Sequence, residues 1–311
     1  MVDVEKIKNQ AGHETAEEFS KVTENIQKDE TGKYVVINKR VRFPHELYCI
    51  DICLKTDVVE LTYQRSDTVK FKLELVKYKD GCLLKERKNE TFYNENFMEF
   101  AITVFIAHLR VHFYSVYRFL IRLDLPYKTF LEERHSDYLR KAFFYYFNQG
   151  LSRMEEPIKS RELKFDANSE LEVMAVLPFL CPDALESIEL VCSDARLEAK
   201  GEADISMLDV VLTPQFKQAR AWSTKGFVMG LSPKHFVHIE HLITSFSYLS
   251  VQDVQIMQQA YLEMPGFVKA SVQCTVFNYE AVAKVLAENP NKLLRMTMSR
   301  KGLFVVERQQ N

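Results

Sequence analysis

The stretch Leu249 to Val276, LSVQDVQIMQQAYLEMPGFVKASVQCTV, has the residue pattern of a helix, a turn and a strand. Ser250 precedes apolar residues at helical spacing, and Asp253 falls in the first turn, which predicts an N-capped amphipathic helix. The residues Met264 to Gly266 should end this helix, because proline cannot continue it and glycine tolerates a positive φ. Apolar and polar residues then alternate from Phe267 to Val276, which predicts a half-buried strand.

Similar units recur through the second half of the chain. Predicted strands begin near Glu162, Ser187, Gln218, His241, Lys269 and Leu294. Helical patterns lie between them, at residues 171–180, 207–212 and 279–288. A strand-plus-helix repeat of this period is typical of leucine-rich repeats, although the consensus leucines are not kept. The predicted fold class is therefore α/β: a degenerate leucine-rich-repeat-like solenoid with a parallel sheet and outer helices, preceded by a small antiparallel β region.

The alternation within these strands predicts which residues face the helices and which face outward. The helix-facing set is apolar and comprises Leu163, Phe165, Ile188, Leu190, Ala219, Ala221, Val268, Ala270, Val272, Leu294, Met296 and Met298. The outward set would form an open sheet face, where solenoids commonly bind partners. From it we predict a partner-binding surface that comprises Lys164, Glu189, Arg220, Trp222, Ser271, Gln273, Arg295 and Thr297. Trp222 has an equal alternative, burial under a neighbouring segment. The strand at residues 241–246 fits either phase.

The first half of the chain has a different pattern. Residues 1–33 are polar and predict a flexible arm, with a short helix possible around residues 15–26. Residues 34–93 predict an antiparallel β region with strands at 47–54, 58–63 and 69–77. Residues 94–158 predict a helical and α/β connecting region, with one helix or two at 97–117, a strand at 119–125 and a helix at 132–149. Residues 159–311 are the predicted strand–helix repeat domain.

Aromatic residues at Phe143 to Phe147 cover more than one face of the last of these helices. Core packing explains most of them. The face left over is a candidate partner surface.

Composition excludes several classes of function. The 311 residues carry a net charge of −2, so no overall field attracts nucleic acid or an anionic membrane. Only 9 glycines are present, which disfavours phosphate-binding loops. The six cysteines are scattered and predict reduced, buried thiols. The longest apolar region contains Glu99 and several arginines, so we expect no membrane span and a location in the cytoplasm or the nucleus.

Candidate catalytic and metal sites are weak. His108 and His112 have helical spacing, but Leu109 replaces the glutamate that zinc proteases need. His235, His238 and His241 are not brought together by either a strand or a helical turn. Nucleophile and phosphate-loop motifs are absent from the sequence. We therefore predict a non-enzymatic protein with no cofactor, no metal site and no nucleic-acid partner.

Three passages resemble the FTH domain, a domain associated with F-box proteins and greatly expanded in nematodes. The Ser250 to Phe267 helix and Pro-x-Phe turn are similar to its signature. LPFLCPDALESIEL at residues 177–190 is similar to a second family segment. QFKQAR at residues 215–220 is similar to a third, which usually has tryptophan at the place of Phe216. The resemblance is good from about residue 159 to residue 307 and looser from residue 47 to residue 150.

The resemblance implies the substrate-binding part of a ubiquitin-ligase receptor, which would normally follow an F-box. Residues 1–40 contain no leucine, although an F-box is rich in buried leucine. We therefore expect no F-box, no binding to a Skp-family adaptor, and an unknown protein partner on the open sheet face. The alternatives are an adaptor with a divergent F-box in residues 1–60, and an enzyme or RNA-binding protein of unrecognised type. Three packed helices over residues 1–60 would favour the divergent F-box.

Overall fold

A computed structural model describes residues 26–28, 34–36, 47–65, 70–86, 89–112, 115–127, 129–192, 204–288 and 293–309. The chain forms two compact units, residues 1–163 with 178–184 and residues 164–177 with 185–311. The predicted arm and its helix lie outside the described residues except for residues 26–28, which form a strand. The four predicted domain boundaries stay a prediction.

The described residues of the first unit form a mixed sheet, a separate pair of short strands and two long helices. Its elements are β1 (Ile26–Lys28), β2 (Tyr34–Val36), β3 (Leu47–Lys55), β4 (Val58–Gln64), β5 (Lys70–Tyr78), β6 (Gly81–Glu86), β7 (Asn89–Tyr93), α1 (Phe97–His112), β8 (Val116–Asp124) and α2 (Phe130–Leu151). The strand order is β8-β3-β4-β5-β6-β7, with β3 and β8 parallel and the others antiparallel. The predicted antiparallel strands are confirmed. Helix α1 ends at His112, five residues before the end predicted at residue 117, because strand β8 begins at Val116.

Helix α2 begins where its sequence provides a capping box. The Thr129 side chain accepts a hydrogen bond from the Glu132 N–H, and the Glu132 carboxylate accepts one from the Thr129 N–H. One side of α2 packs on α1, where the rings of Phe105 and Phe147 stack with centroids 5.3 Å apart. Phe143 is also fully buried on this side. The aromatic cluster of α2 therefore serves mainly as core, as predicted.

The second unit alternates strands and short helices. Its elements are β9 (Ser160–Ala167, which begins in the first unit), α3 (Glu170–Met174), β10 (Ser187–Cys192), β11 (Asp204–Ile205), α4 (Leu208–Leu212), α5 (Pro214–Gln218), β12 (Ala221–Lys225), β13 (Val228–Met229), β14 (His241–Leu249), α6 (Val251–Glu263), β15 (Lys269–Phe277), α7 (Tyr279–Glu288), β16 (Leu294–Met298) and β17 (Leu303–Arg308). A short 3-10 turn occupies Pro233–Phe236. Two others, at Leu177–Phe179 and Pro182–Ala184, fall mostly or wholly in residues 178–184 of the first unit. The class is mixed α/β, as predicted.

Four of these strands, β10, β12, β14 and β15, lie side by side in the sheet in the order in which the chain forms them, and all are parallel. A repeated hydrogen bond aligns their starts. The Glu186 carbonyl accepts from the N–H groups of Arg220 and Ala221, and the Arg220 carbonyl accepts from Glu240 and His241. The Glu240 carbonyl accepts from Val268 and Lys269 in the same way. Each strand therefore starts in register with the one before it.

The helix, turn and strand of residues 249–276 form as the sequence predicts. The Ser250 hydroxyl accepts from the Asp253 N–H at 3.0 Å, and the Asp253 carboxylate accepts from the Ser250 N–H at 3.0 Å. At the other end of α6, the Arg308 guanidinium donates to the carbonyls of Tyr261 and Met264. These contacts satisfy carbonyl groups that a helix end leaves free.

Two details of the predicted sheet are wrong. Strand β17 lies between β15 and β16 and is antiparallel to both, so the parallel series ends at β15. The strand predicted to start near Gln218 starts at Ala221, because Pro214–Gln218 is helix α5. Thr213 caps that helix by accepting from the Phe216 N–H at 3.2 Å, and Pro214 suits its first turn.

Candidate recognition surface

One side of the second unit's sheet faces solvent, and strand register defines its residues. Glu189, Ser223, Ile243 and Ser271 pair in sequence across β10, β12, β14 and β15, and Val305 and Thr297 continue the row on β17 and β16. We call the surface around this row the open face. It comprises Lys164, Glu189, Ser223, Lys225, His241, Ile243, Ser245, Lys269, Ser271, Gln273, Arg295, Thr297, Leu303, Val305 and Glu307.

The neighbouring row points the other way and is buried. Ile188, Trp222, Leu242, Ala270 and Val306 occupy the register next to the open-face row, and each is at most 1% exposed. Side chains alternate between the two faces of a strand, so burial of this row fixes the phase of the open face. The predicted phases of β9, β10 and β16 are confirmed, and so is that of β15 from Lys269 onward. Val268 precedes that strand and is exposed, contrary to its prediction.

The structure places six of the eight predicted site residues on the open face: Lys164, Glu189, Ser271, Gln273, Arg295 and Thr297. Their role in binding stays a prediction. Arg220 is exposed at the start of β12, at the border of this face, and its backbone joins the hydrogen bonds between strand starts.

Trp222 does not lie on the open face, so its predicted placement is wrong. It is 1% exposed, and its ring meets the Phe216 ring edge-on at a centroid distance of 5.0 Å. The Phe236 ring is 5.9 Å away. Strand β12 starts later than predicted. Because Ala221 and Trp222 are both apolar, the sequence alternation did not decide which of the two faces the core. Burial of the larger side chain releases more apolar surface from water.

Ile243 is an apolar residue of the open face that the sequence pattern did not predict. It is 39% exposed at the centre of the row, between Ser223 and Ser271. The alternation His-Leu-Ile-Thr-Ser-Phe contains apolar residues in both phases, so the sequence signal was ambiguous. An exposed branched apolar side chain among serines is a natural contact point for a partner.

Charges lie at the sides of the open face and leave the centre uncharged. Glu189 accepts from Lys164 and from Lys225, each at 3.0 Å. On the other side, Lys269 and Glu307 form an ion pair at 2.6 Å. Ser223, Ile243, Ser271 and Val305 pair in register across four strands and span roughly 14 Å at the usual strand spacing. Lys269 and Glu307 lie two residues from Ser271 and Val305 on the same two strands. The face therefore offers a nearly neutral strip bordered by ion pairs.

Glu189 should make stability depend on pH. Partial burial acts to raise the pKa of Glu189, but the hydrogen bonds and charges of Lys225 and Lys164 outweigh it and hold the pKa below its usual value. A lowered folded-state pKa contributes stability above the unfolded pKa, and this is lost as pH falls through the folded pKa.

Glu189→Gln should therefore lower the free energy of unfolding by less than about 1 kcal/mol at pH 7, because its lysine partners are solvated. The difference from the parent should shrink as pH falls below about 4. Denaturation at several pH values measures it, and Lys164→Met and Lys225→Met should each remove part of the same dependence. A pH-independent difference would contradict the assignment.

The histidine and metal predictions are tested only in part. His108 is buried with its ring 5.0 Å from the Tyr63 ring, and the side chain of His112 lies outside the described residues. His238 Nε2 lies 3.0 Å from the Phe216 carbonyl oxygen, which ties it to the core, whereas His241 is on the open face. Within the described ranges, no three metal-binding side chains come together.

The cysteines are free thiols, and five of the six are buried. Burial raises the pKa of Cys49 and of Cys53 to about 11, so both stay protonated at neutral pH. Over the part of the chain that the structure describes, no helix is long and apolar enough to span a membrane.

Parallel strands that start in register, a buried aromatic side and a solvent-facing side make the second unit a mixed α/β domain with an open sheet face. A comparison with protein families found a similar family. Residues 141–289 match the family model of the FTH domain, so this part of the chain is similar to that domain. The match begins at residue 141, before the start of the good resemblance predicted near residue 159. It ends at residue 289, before the predicted end near residue 307. Searches of curated proteins and of solved structures gave no match.

Proposed function

We propose that this protein is a non-enzymatic protein–protein recognition module that binds its partner on the open face of the second unit. The FTH domain supports this, because it suggests an F-box-associated interaction module. The single observation that carries the proposal is the register-aligned row of Ser223, Ile243 and Ser271, which is uncharged, solvent-facing and bordered by ion pairs, with half-buried serines on either side of the exposed Ile243. Interfaces commonly combine a centre poor in charge with a polar rim.

The proposal includes a leucine-rich-repeat-like solenoid for residues 187–277. Its support is a repeated backbone hydrogen bond. The carbonyl groups of Glu186, Arg220 and Glu240 each accept from N–H groups at the start of the next parallel strand. Repeat domains stack equivalent units in this way and bind partners along an extended face. Strand β17 pairs with β15 in the antiparallel direction. The parallel repeat would therefore be short and would end at β15.

In the ligase setting, the module would correspond to the substrate-binding part of a ubiquitin-ligase receptor. We propose that it holds its partner without contacting the Skp-family adaptor. Strand β3 occupies Leu47–Lys55, where a divergent F-box would continue in helix, and this supports the proposal for that stretch. The location in the cytoplasm or nucleus is part of the same proposal.

Ile243→Arg should abolish partner recovery, because it places a charge at the centre of the neutral strip. The matched control is Leu212→Arg, which makes the same kind of change at a side chain that is also exposed, on α4. Tagged parent and variants are used to capture partners from extracts of the source cells, with quantitative mass spectrometry. We expect proteins that the parent and Leu212→Arg recover equally and that Ile243→Arg loses at least tenfold.

Thermal unfolding accompanies the capture experiment, and both variants should melt within a few degrees of the parent. Equal recovery by all three proteins, with all three folded, would exclude the open face as the binding surface.

A further inference from the structure

Helix α2 of the first unit exposes a line of large side chains that its core packing does not use. Leu131, Tyr138 and Tyr145 are 76%, 67% and 62% exposed. They are seven residues apart, so they lie nearly above one another and span roughly 21 Å at the rise of an α-helix. Phe143 and Phe147 are buried on the opposite side. The exposed line is therefore a second surface of the helix.

Basic residues flank this line. Arg134, His135 and Lys141 are exposed beside it, and Arg134 lies 5.9 Å from the Phe130 ring centre. We define the α2 stripe as Leu131, Arg134, His135, Tyr138, Lys141, Ala142, Tyr145 and Gln149. It contains no acidic residue. The nearest carboxylates are engaged locally, since Glu132 is in the capping box and Asp137 pairs with Arg140 at 3.4 Å.

We propose that the α2 stripe is a docking site for an acidic amphipathic helix of a partner protein. Side chains repeating every seven residues are the pattern that a second helix can follow along its length. Acidic residues of that helix would complement Arg134 and Lys141, and its apolar residues would pack between Tyr138 and the neighbouring large side chains. The α2 stripe belongs to the first unit, whereas the open face belongs to the second.

A lipid surface fits the stripe less well. Interfacial helices bury a broad apolar face, whereas the stripe offers one large side chain every two turns with charged residues between them. Two of the three are tyrosines, which combine apolar area with a hydroxyl and are enriched at protein interfaces.

A designed peptide tests the proposal. The probe is a fluorescein-labelled helix of three heptads, with leucine at the first position of each heptad and glutamate at the fourth and fifth. The comparison peptide has lysine in place of glutamate. Fluorescence anisotropy with the full chain should give micromolar binding for the acidic peptide and binding at least tenfold weaker for the basic one. Affinity for the acidic peptide should fall as salt rises.

Variants then locate the site. Tyr138→Ala and Lys141→Glu should each weaken acidic-peptide binding by about tenfold, as removal of a central contact does. Tyr248→Ala and Lys217→Glu make the same changes at exposed positions of the second unit and should change it less than twofold. All four variants should melt like the parent.

Three results would overturn the proposal: no binding of the acidic peptide, equal binding of both peptides, or equal loss in the stripe and control variants. Binding to phosphatidylserine vesicles that depends on Tyr138, without peptide binding, would also overturn it and assign the stripe to lipid.

Discussion

Trp222→Ala should lower the free energy of unfolding of the second unit by about 3–5 kcal/mol, the range for removing a large buried aromatic side chain. Trp222 packs with Phe216 and Phe236, and the Phe236 ring in turn meets Phe246 at 5.3 Å. Removing the indole would leave a cavity beside rings that belong to α5, the 3-10 turn and strand β14. These rings cannot all shift to fill it.

Trp222→Phe should cost about 1–2 kcal/mol, because it keeps most of the apolar contact. The indole Nε1 is buried and has no hydrogen-bond partner among the described residues, so its loss leaves no acceptor unsatisfied. Arg220→Ala, two residues earlier and exposed, should change stability by less than about 0.5 kcal/mol.

Chemical denaturation followed by far-UV circular dichroism measures these changes without relying on the tryptophan. Trp222 is the only tryptophan of the chain, so its fluorescence reports this site alone. The parent should show a blue-shifted emission maximum that moves to longer wavelength on unfolding. A solvent-exposed emission spectrum with a stability loss under 1 kcal/mol for Trp222→Ala would contradict burial and restore the open-face placement.

Gly302→Ala should destabilise the hairpin of β16 and β17 by at least about 2 kcal/mol. Gly302 has φ +85, where residues with a side chain are strained by about 1–2 kcal/mol. A Cβ atom there would also collide with the Cys274 carbonyl oxygen and lie 2.8 Å from the Phe277 ring. Because the collision is with backbone of β15, the hairpin must move away to relieve it.

Lys301→Ala is the matched control, since it is exposed in the same turn and its backbone bonds stay intact. Hydrogen exchange gives a local readout. The Cys274 N–H donates to the Gly302 carbonyl at 2.9 Å, and its exchange should accelerate in Gly302→Ala but not in Lys301→Ala. Unchanged exchange and stability in both variants would contradict the positive φ.

Local sequence signals predicted much of the fold. Ser250 and Asp253 cap α6 as expected, and the Pro265-Gly266 turn separates α6 from β15. The alternation in β10, β15 and β16 predicted which side chains are buried. These features depend on capping and on side-chain period, which act between residues close in sequence.

Features that depend on contacts between residues distant in sequence were not predicted. Strand β17 inserts between β15 and β16, and its pairing joins Lys269 to Glu307 across almost forty residues. Helix α5 shortens β12, so the phase of Trp222 changes. A strand's phase reverses when its start shifts by one residue, so a small error in a boundary exchanges the two faces.

The sequence by itself determined the mixed α/β class, the FTH signature and six residues of the open face, because each rests on a local pattern of caps, turns and alternation. Tertiary structure decided that Trp222 is core, that Ile243 is at the centre of the face, and that Tyr138 and Tyr145 stay exposed on α2. The reason is physical: a side chain that could occupy either face goes where neighbouring strands and helices bury the most apolar surface.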